Sequence, residues 1–323
     1  MRILIVKISS MGDIIHNLPI LSDIHANFPT ADIDWVVEES FVDMLKLHPQ
    51  IDHIIPVAIR RWRKSFFSAE TKREIQAFKT QLQAHEYDYI IDTQTLLKSA
   101  FIACLAKGKR YGQGPNTARE WLAGFFYHHK FSVSRDQHAV DQNRQLTALA
   151  LNYKVPTNAP DYGLPRAELA AKVHLNLPRR YVMGFHATSR ESKLWPVSHW
   201  ISLGQLLARQ GLTMCLPWAN ESERHRAELI AAHVPHAIIL PKSNLSGLAY
   251  VTAGAKAAIG VDTGLVHLAV AMDVPSIAIY TDTHPDLNGA FAGLNALAIN
   301  VGGKGQLPNP NEVFSTFQQL GVA

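Results

Sequence analysis

At 323 residues the chain exceeds the size at which one core usually stays single, so two domains are expected. Apolar residues at 47% and charged residues at 18% are ordinary for a folded globular protein, which argues against a disordered or fibrous chain. A formal charge of +4, with 16 histidines that can add to it, suits an anionic partner without naming one.

From the N-terminus, RILIVKI reads as a buried strand. A helix follows from about Asp13, and Pro19 is expected to kink or restart it. IDWVVE and IDHIIPV are the second and third strands. A long amphipathic helix is expected over 64–85, then the strand YDYIID with the helix TLLKSAFIACLA behind it. KRYG is a short strand, before helices near 117–127 and 138–151. Pro156, Pro160, Pro165 and Pro178 mark 156–180 as a linker between an N-terminal domain, 1–155, and a C-terminal domain, 181–323.

The alternation then restarts. Strands YVMGFH, LTMCLPW, AIIL, AAIGV and PSIAIY are separated by the helices WPVSHWISLGQLLARQG, ESERHRAELIAAH, SNLSGLAYVTAGA and GLVHLAVAM. NEVFSTFQQLGV is a last helix, with the option of crossing back to the first domain. Two successive βαβ series imply an α/β protein of two Rossmann-like, doubly wound parallel sheets facing a cleft. Ligands in such sheets bind beyond the carboxyl ends of the strands, so the chemistry is sought in the loops there.

Cys104 and Cys215 lie far apart in apolar surroundings and read as buried thiols of a reducing compartment. The first apolar run is too short for a signal peptide, and no stretch approaches the roughly 18 apolar residues of a membrane span, so the chain reads as cytoplasmic.

The loop Val261-Asp262-Thr263-Gly264-Leu265-Val266-His267 follows a strand and opens a helix. Thr263 and Gly264 offer free backbone N–H groups at a positive helix end, Asp262 can accept from a sugar hydroxyl, and His267 can donate to a phosphate oxygen. A plain N-cap with a packed histidine is the alternative. The loop after YVMGF sets Thr188, Ser189, Arg190 and Lys193 before Pro196, which fits a diphosphate with Lys193 as point charge, or a solvated turn. Glu223 reads as a sugar or ribose contact, or as an acid at a helix start. The glycine fingerprint of dinucleotide enzymes is missing, since Thr117 stands where Gly112-Gln113-Gly114 needs a third glycine, and no Walker loop surrounds Lys304. A nucleotide-sugar held by the second domain remains.

Arg60-Arg61-Trp62-Arg63-Lys64 sets four cations in five residues at an expected helix start, where they oppose the dipole. An anionic substrate or a headgroup layer is the natural reason, whereas the isolation of the cluster argues against nucleic acid. Arg119 and His138 either extend this basic surface or are structural. Asp13, at the carboxyl end of the first strand beside Gly12, either caps its helix or serves as the base that takes a proton from an attacking hydroxyl. Lys193 and the amides at Thr263 and Gly264 would stabilise a departing diphosphate. No divalent metal or other cofactor is implied; Asp32-Ile33-Asp34 starts a strand at the wrong end for one.

These residues resemble the bacterial lipopolysaccharide heptosyltransferases over essentially the whole chain. The likeness rests on VKISSMGDIIHNLPIL, WVVEESF, IPVAIRRWRK, YDYIIDTQTLLKSA, NTARE, HATSRESKLWP, LPW and VDTGLVHLAVAMDVP, and RRWRK with SSMGD points to the member that adds the first heptose. The resemblance implies an inverting glycosyltransferase of the GT-B type, an ADP-heptose donor, and the inner 3-deoxy-octulosonate (Kdo) of Kdo2-lipid A as acceptor. It also implies peripheral contact with the cytoplasmic face of the inner membrane. Asp13 takes the place of the family's proposed base. Thr188, Ser189, Lys193, Glu223, Asp262, Thr263, Gly264 and His267 take the places of donor contacts. Ser243 stands where methionine would be expected beside the adenine and keeps only a backbone contact. Arg60, Arg61, Arg63 and Lys64, with Arg119 and His138 nearby, take the places of acceptor contacts. The alternatives are the second heptosyltransferase, a sugar-nucleotide epimerase on the same two-sheet plan, and a module that only binds nucleotide-sugar or anionic lipid.

Overall fold

Ile3, Leu4, Ile5 and Val6 are fully buried, and the strand they form, β1 (Arg2–Val6), lies at the centre of the first sheet. In the computed structural model, which describes residues 1–322, five strands join it: β2 (Asp32–Glu38), β3 (His53–Val57), β4 (Glu86–Asp92), β5 (Lys107–Gln113) and β6 (His129–Phe131). All pair in parallel, in the order β3-β2-β1-β4-β5-β6. A parallel strand covered on both faces is a continuous apolar run rather than an alternation, which is why ILIV and WVV read so plainly.

The second sheet contains β7 (Tyr181–Phe185), β8 (Thr213–Leu216), β9 (Ile238–Ile239), β10 (Ala257–Val261), β11 (Ser276–Tyr280) and β12 (Ala298–Gly302). It is also parallel, in the order β12-β11-β10-β7-β8-β9. Counted from their own first strands, both sheets have the doubly wound order 3-2-1-4-5-6. The two sheets fall in two compact units, Met1–Gly163 and Leu164–Ala323. The core of the second gathers Trp195, Trp200, Leu203 and Leu207 with Ile259, Ile277 and Phe317.

Of the two outcomes expected at Pro19, the restart is the one that occurs: a short helix, Met11–Ile15, precedes Pro19–Asn27, where the proline occupies the first turn and its missing N–H leaves no bond unmade. Several other expectations are corrected. The helix expected over 64–85 begins only at Ala69, because the Ser68 hydroxyl accepts from the Thr71 N–H; it runs to Leu82, and Ile59–Trp62 is a separate single turn. The helix expected near 117–127 does not form. Only a 3-10 turn, Trp121–Phe125, occurs there, with Gly124 packed so tightly on the backbone of Pro115 that a Cβ would collide. Edge strands β6 and β12 are not among the expected strands, and they lack a buried apolar run.

The stretch expected as a linker, 156–180, divides at Gly163. Its second half contains a helix, Arg166–Ala170, packed on the helix Leu245–Gly254, and the Arg166 guanidinium donates to the carbonyls of Ala253, Ala255 and Asp273. The last helix, Pro310–Gln319, buries Val313 and Phe317 in the second unit's core and packs on the helix Val197–Arg209, which corrects the suggested return to the first domain. Cys215 is buried but Cys104 only half so, and both thiols are free. No helix among the described residues is long and apolar enough to cross a membrane.

Candidate active site

In a 3-2-1-4-5-6 sheet the chain reverses direction between the first and fourth strands, and their carboxyl ends part to open a crevice. In the first sheet those ends lead into 7–13 and 93–96. In the second they lead into 186–196 and 262–264. Asp13, Lys193 and the Asp262 loop therefore all follow switch-point strands.

The loop after β1 is stitched to the loop after β4. The Gln94 amide accepts from Ile8 N–H at 2.6 Å and donates to Ser9 O at 2.9 Å, continuing the sheet pairing with a side chain. Lys7 Nζ donates to Thr93 O at 3.0 Å, and Lys98 Nζ to Ser9 Oγ at 3.0 Å. Asp13 sits on this frame in the first turn of its helix. Its Oδ2 accepts from the Ser10 N–H at 2.9 Å and from the Ser10 hydroxyl at 2.8 Å. Its Oδ1 lies 3.8 Å from the Arg119 guanidinium. Arg119 is brought there because its N–H donates to Thr95 Oγ1 and the Glu120 N–H to Thr95 O. Burial pushes the Asp13 carboxyl up, but Lys7, the Ser10 hydrogen bonds and Arg119 outweigh it and hold the group below the usual carboxylate range. Asp13 is thus a helix cap through one oxygen and an ionised, half-buried carboxylate through the other.

The basic run does not act as one block. Arg61 is taken up by acids: Nε and Nη2 pair bidentately with Glu39, and Nη1 donates to both oxygens of Glu74, whose carboxylate also accepts from Trp62 Nε1. Arg60 stands 5.6 Å over the Phe41 ring, and its N–H donates to Glu38. Arg63 and Lys64 are exposed and form no ion pair among the described residues. His138 is buried. Its Nδ1 accepts from the Val140 N–H, which caps the helix Ala139–Leu151, and its ring meets His16 edge-on at 5.1 Å.

In the second unit Asp262 is a hub. Its Oδ2 pairs with Lys193 Nζ at 2.6 Å and accepts from the Thr283 hydroxyl at 2.7 Å; its Oδ1 lies 3.9 Å from His267 Nε2, and its backbone carbonyl accepts from Thr188 Oγ1 at 3.0 Å. Burial raises the carboxyl, yet His267, Lys193 and Thr283 together drive it well below the ordinary range. Thr263 is the N-cap of the helix Gly264–Ala271, so this ionised cluster stands at a helix N-terminus whose first N–H groups lack intrahelical acceptors. Thr188, Lys193, Asp262, Thr263, Gly264 and His267 are brought together. Ser189 is exposed on the same loop. Both Glu223 oxygens are used locally, on Ala219 N–H and Asn220 Nδ2, which is the capping role. Ser243 is exposed, donates to Pro241 O and precedes the N-cap Asn244.

The chain carrying these loops is similar to known proteins over nearly its whole length. The profile of glycosyltransferase family 9 (heptosyltransferase) covers residues 75–313. Lipopolysaccharide heptosyltransferase 1 of Escherichia coli (strain K12) is 45% identical over 295 residues, spanning 90% of this chain and 91% of that one. The chain belongs to glycosyltransferase family 9. The solved structure of E. coli heptosyltransferase WaaC with ADP is similar at a TM-score of 0.92 and 41% identity, covering 99% of each chain. The same heptosyltransferase with ADP-2-deoxy-2-fluoro heptose is similar at 0.89, again at 41% identity and 99% coverage of each chain. The two parallel sheets are therefore those of a GT-B glycosyltransferase.

Some residues that build these loops carry little sequence signal. Gln94 and Thr283 act on loops far away in the chain, so no local pattern marks them. Arg226 donates to His186 O at 3.1 Å and also to Trp195 O, clamping both ends of the 186–195 loop. Lys7 does leave a trace, as the one charge interrupting RILIVKI.

Proposed function

We propose that the protein transfers L-glycero-D-manno-heptose from ADP-heptose to the inner Kdo of Kdo2-lipid A, with inversion, in assembly of the lipopolysaccharide inner core. The substrate assignment draws on likeness over nearly the whole chain to heptosyltransferase 1 relatives. The observation that carries the chemistry is the ionised Asp13 carboxylate at the carboxyl end of β1, with Oδ2 anchored by Ser10 and Oδ1 directed toward Arg119.

Asp13 Oδ1 takes the proton of the attacking Kdo hydroxyl as its oxygen bonds to the anomeric carbon of heptose. The bond from that carbon to the diphosphate breaks on the opposite face, and ADP leaves with the electron pair. Lys193 and the amides at the start of the helix Gly264–Ala271 receive the developing charge. A base with a depressed pKa is always ionised at neutral pH but pulls weakly on the proton, so leaving-group stabilisation has to supply much of the barrier lowering. The first unit holds the acceptor, with Arg60, Arg63, Lys64 and Arg119 as cations for its anionic groups, and the second holds the nucleotide-sugar. The reading needs no metal ion, because Lys193 and the helix amides meet the diphosphate charge. The acceptor is a membrane lipid, so the protein works as a peripheral protein on the cytoplasmic face of the inner membrane.

Incubation with ADP-heptose and Kdo2-lipid A, in EDTA, is expected to add the mass of one heptose to the acceptor. Transfer only to an already heptosylated acceptor would assign the second heptosyl step instead. Dependence on an added divalent ion would overturn the metal-free step.

A further inference from the structure

The first unit exposes an apolar surface that the chemistry above does not use. Leu97 and Phe101 sit one helical turn apart on the helix Leu97–Leu105 and are 39% and 63% exposed. Beside them the 3-10 turn presents Trp121, Leu122 and Phe125, 61%, 42% and 59% exposed. The two segments form one platform because Ala100 and Ala123 bury against each other with Tyr127 in a small core of their own. The platform is also pinned chemically. The Glu120 carboxylate accepts from the Leu97 N–H at 2.6 Å, and the rings of Trp121 and Phe125 meet edge to face at 5.9 Å.

A cation stands on this surface: Lys130 Nζ lies 5.7 Å over the Phe125 ring. Lys98 and Arg119 flank the platform in the chain, with their charged ends turned to Ser9 Oγ and toward Asp13. The acid within the platform, Glu120, is occupied as a cap for the helix start. Exposed tryptophan, phenylalanine and leucine edged by lysine and arginine is the composition of a surface that lies in a lipid interface, with rings among the headgroups and cations on the phosphates.

We propose that Leu97, Phe101, Trp121, Leu122 and Phe125 seat the first unit on an anionic lipid surface, beside the carboxylate that meets the acceptor. The proposal rests on the reading that the acceptor is a membrane-held glycolipid. It explains how a chain with no membrane-spanning helix among its described residues reaches such a substrate.

The test is a triple variant, Phe101→Ser, Trp121→Ser and Phe125→Ser, in the full chain. Its partition into vesicles of phosphatidylglycerol and phosphatidylethanolamine is expected to fall at least tenfold. The wild type is expected to bind phosphatidylcholine vesicles several-fold more weakly than the anionic ones. Transfer to a deacylated, water-soluble Kdo acceptor is expected to persist, while transfer to vesicle-embedded acceptor falls. Unchanged vesicle partition overturns the proposal, as does a wild-type dimer that the variant dissociates with vesicle binding intact. If the triple variant is damaged in folding, brominated lipids decide: wild-type fluorescence is quenched more than that of Trp121→Phe, and equal quenching overturns the proposal. Failure of all heptosyl transfer by the wild type would sink the functional reading and leave the vesicle result standing.

Discussion

Lys193 Nζ lies 2.6 Å from Asp262 Oδ2, joining two loops that are distant in sequence but emerge from adjacent strands, β7 and β10. Each charge is mostly shielded from solvent, so each depends on the other. Truncating one member leaves the other poorly compensated, which typically costs more than the net worth of the pair.

A double-mutant cycle on Lys193→Met and Asp262→Asn is therefore expected to give a coupling of about 1 to 3 kcal/mol in urea unfolding. Lys193→Met is further expected to lower kcat more than it raises the KM for ADP-heptose, because its charge is used as the diphosphate departs. Coupling near zero would mean the pair is geometric only. A pure KM effect would remove Lys193 from leaving-group stabilisation.

Asp13→Ala removes both a cap and the proposed base. The cap loss is expected to cost about 1 kcal/mol of stability. Transfer is expected to fall by about 10²- to 10⁴-fold with ADP-heptose affinity unchanged by calorimetry. If the rate drops only in proportion to the folded fraction, Asp13 is a cap and nothing more.

The basic run is expected to divide by function. Arg63→Ala and Lys64→Ala should raise the acceptor KM several-fold, reduce its salt dependence and leave the donor KM alone. Arg61→Ala should instead loosen the segment between the Ile59–Trp62 turn and the helix Ala69–Leu82, read as faster proteolysis near Phe66 and Phe67. Equal effects of all three substitutions on acceptor KM alone would contradict the ion pairs of Arg61 with Glu39 and Glu74.

Acid is expected to weaken both units through buried imidazoles. Burial pushes His48 down to about 4, and burial with the nearby Arg226 charge does the same to His186. An unfolded histidine titrates near 6.5, so between the two values the unfolded chain binds a proton that the folded chain refuses. Stability is full above about pH 6.5 and declines toward pH 4, by up to about 1.4 kcal/mol per pH unit for each histidine. Urea midpoints at pH 7.5, 6 and 5 read this directly. A flat series would show that neither ring is held neutral, and a slope unchanged in His186→Gln would show that His186 is not.

The two sheets are legible in the sequence because parallel strands buried on both faces have no polar residues to disguise them. What escapes is decided by contacts across the chain. The expected 64–85 helix fails at Ser68, whose hydroxyl prefers the Thr71 amide, and the expected 117–127 helix fails where Gly124 must lie against Pro115. The chemistry shows a similar divide. Asp13, Lys193 and Asp262 are visible because they follow strands directly. The sequence leaves Asp13 open between cap and base; the geometry ties one oxygen to Ser10 and leaves the other beside Arg119. Gln94 and Thr283 are invisible because each serves a loop far from its own position.

Both sheets share one strand order, and each sets its reactive loops at its own turning point. Damage to such a molecule should be compartmental. A lesion in the packing of β2 or β5 would degrade handling of one substrate, and a lesion at β8 or β11 the other, with little crosstalk in the affinities. A collection of inactive variants would then sort into two classes by which ligand still binds.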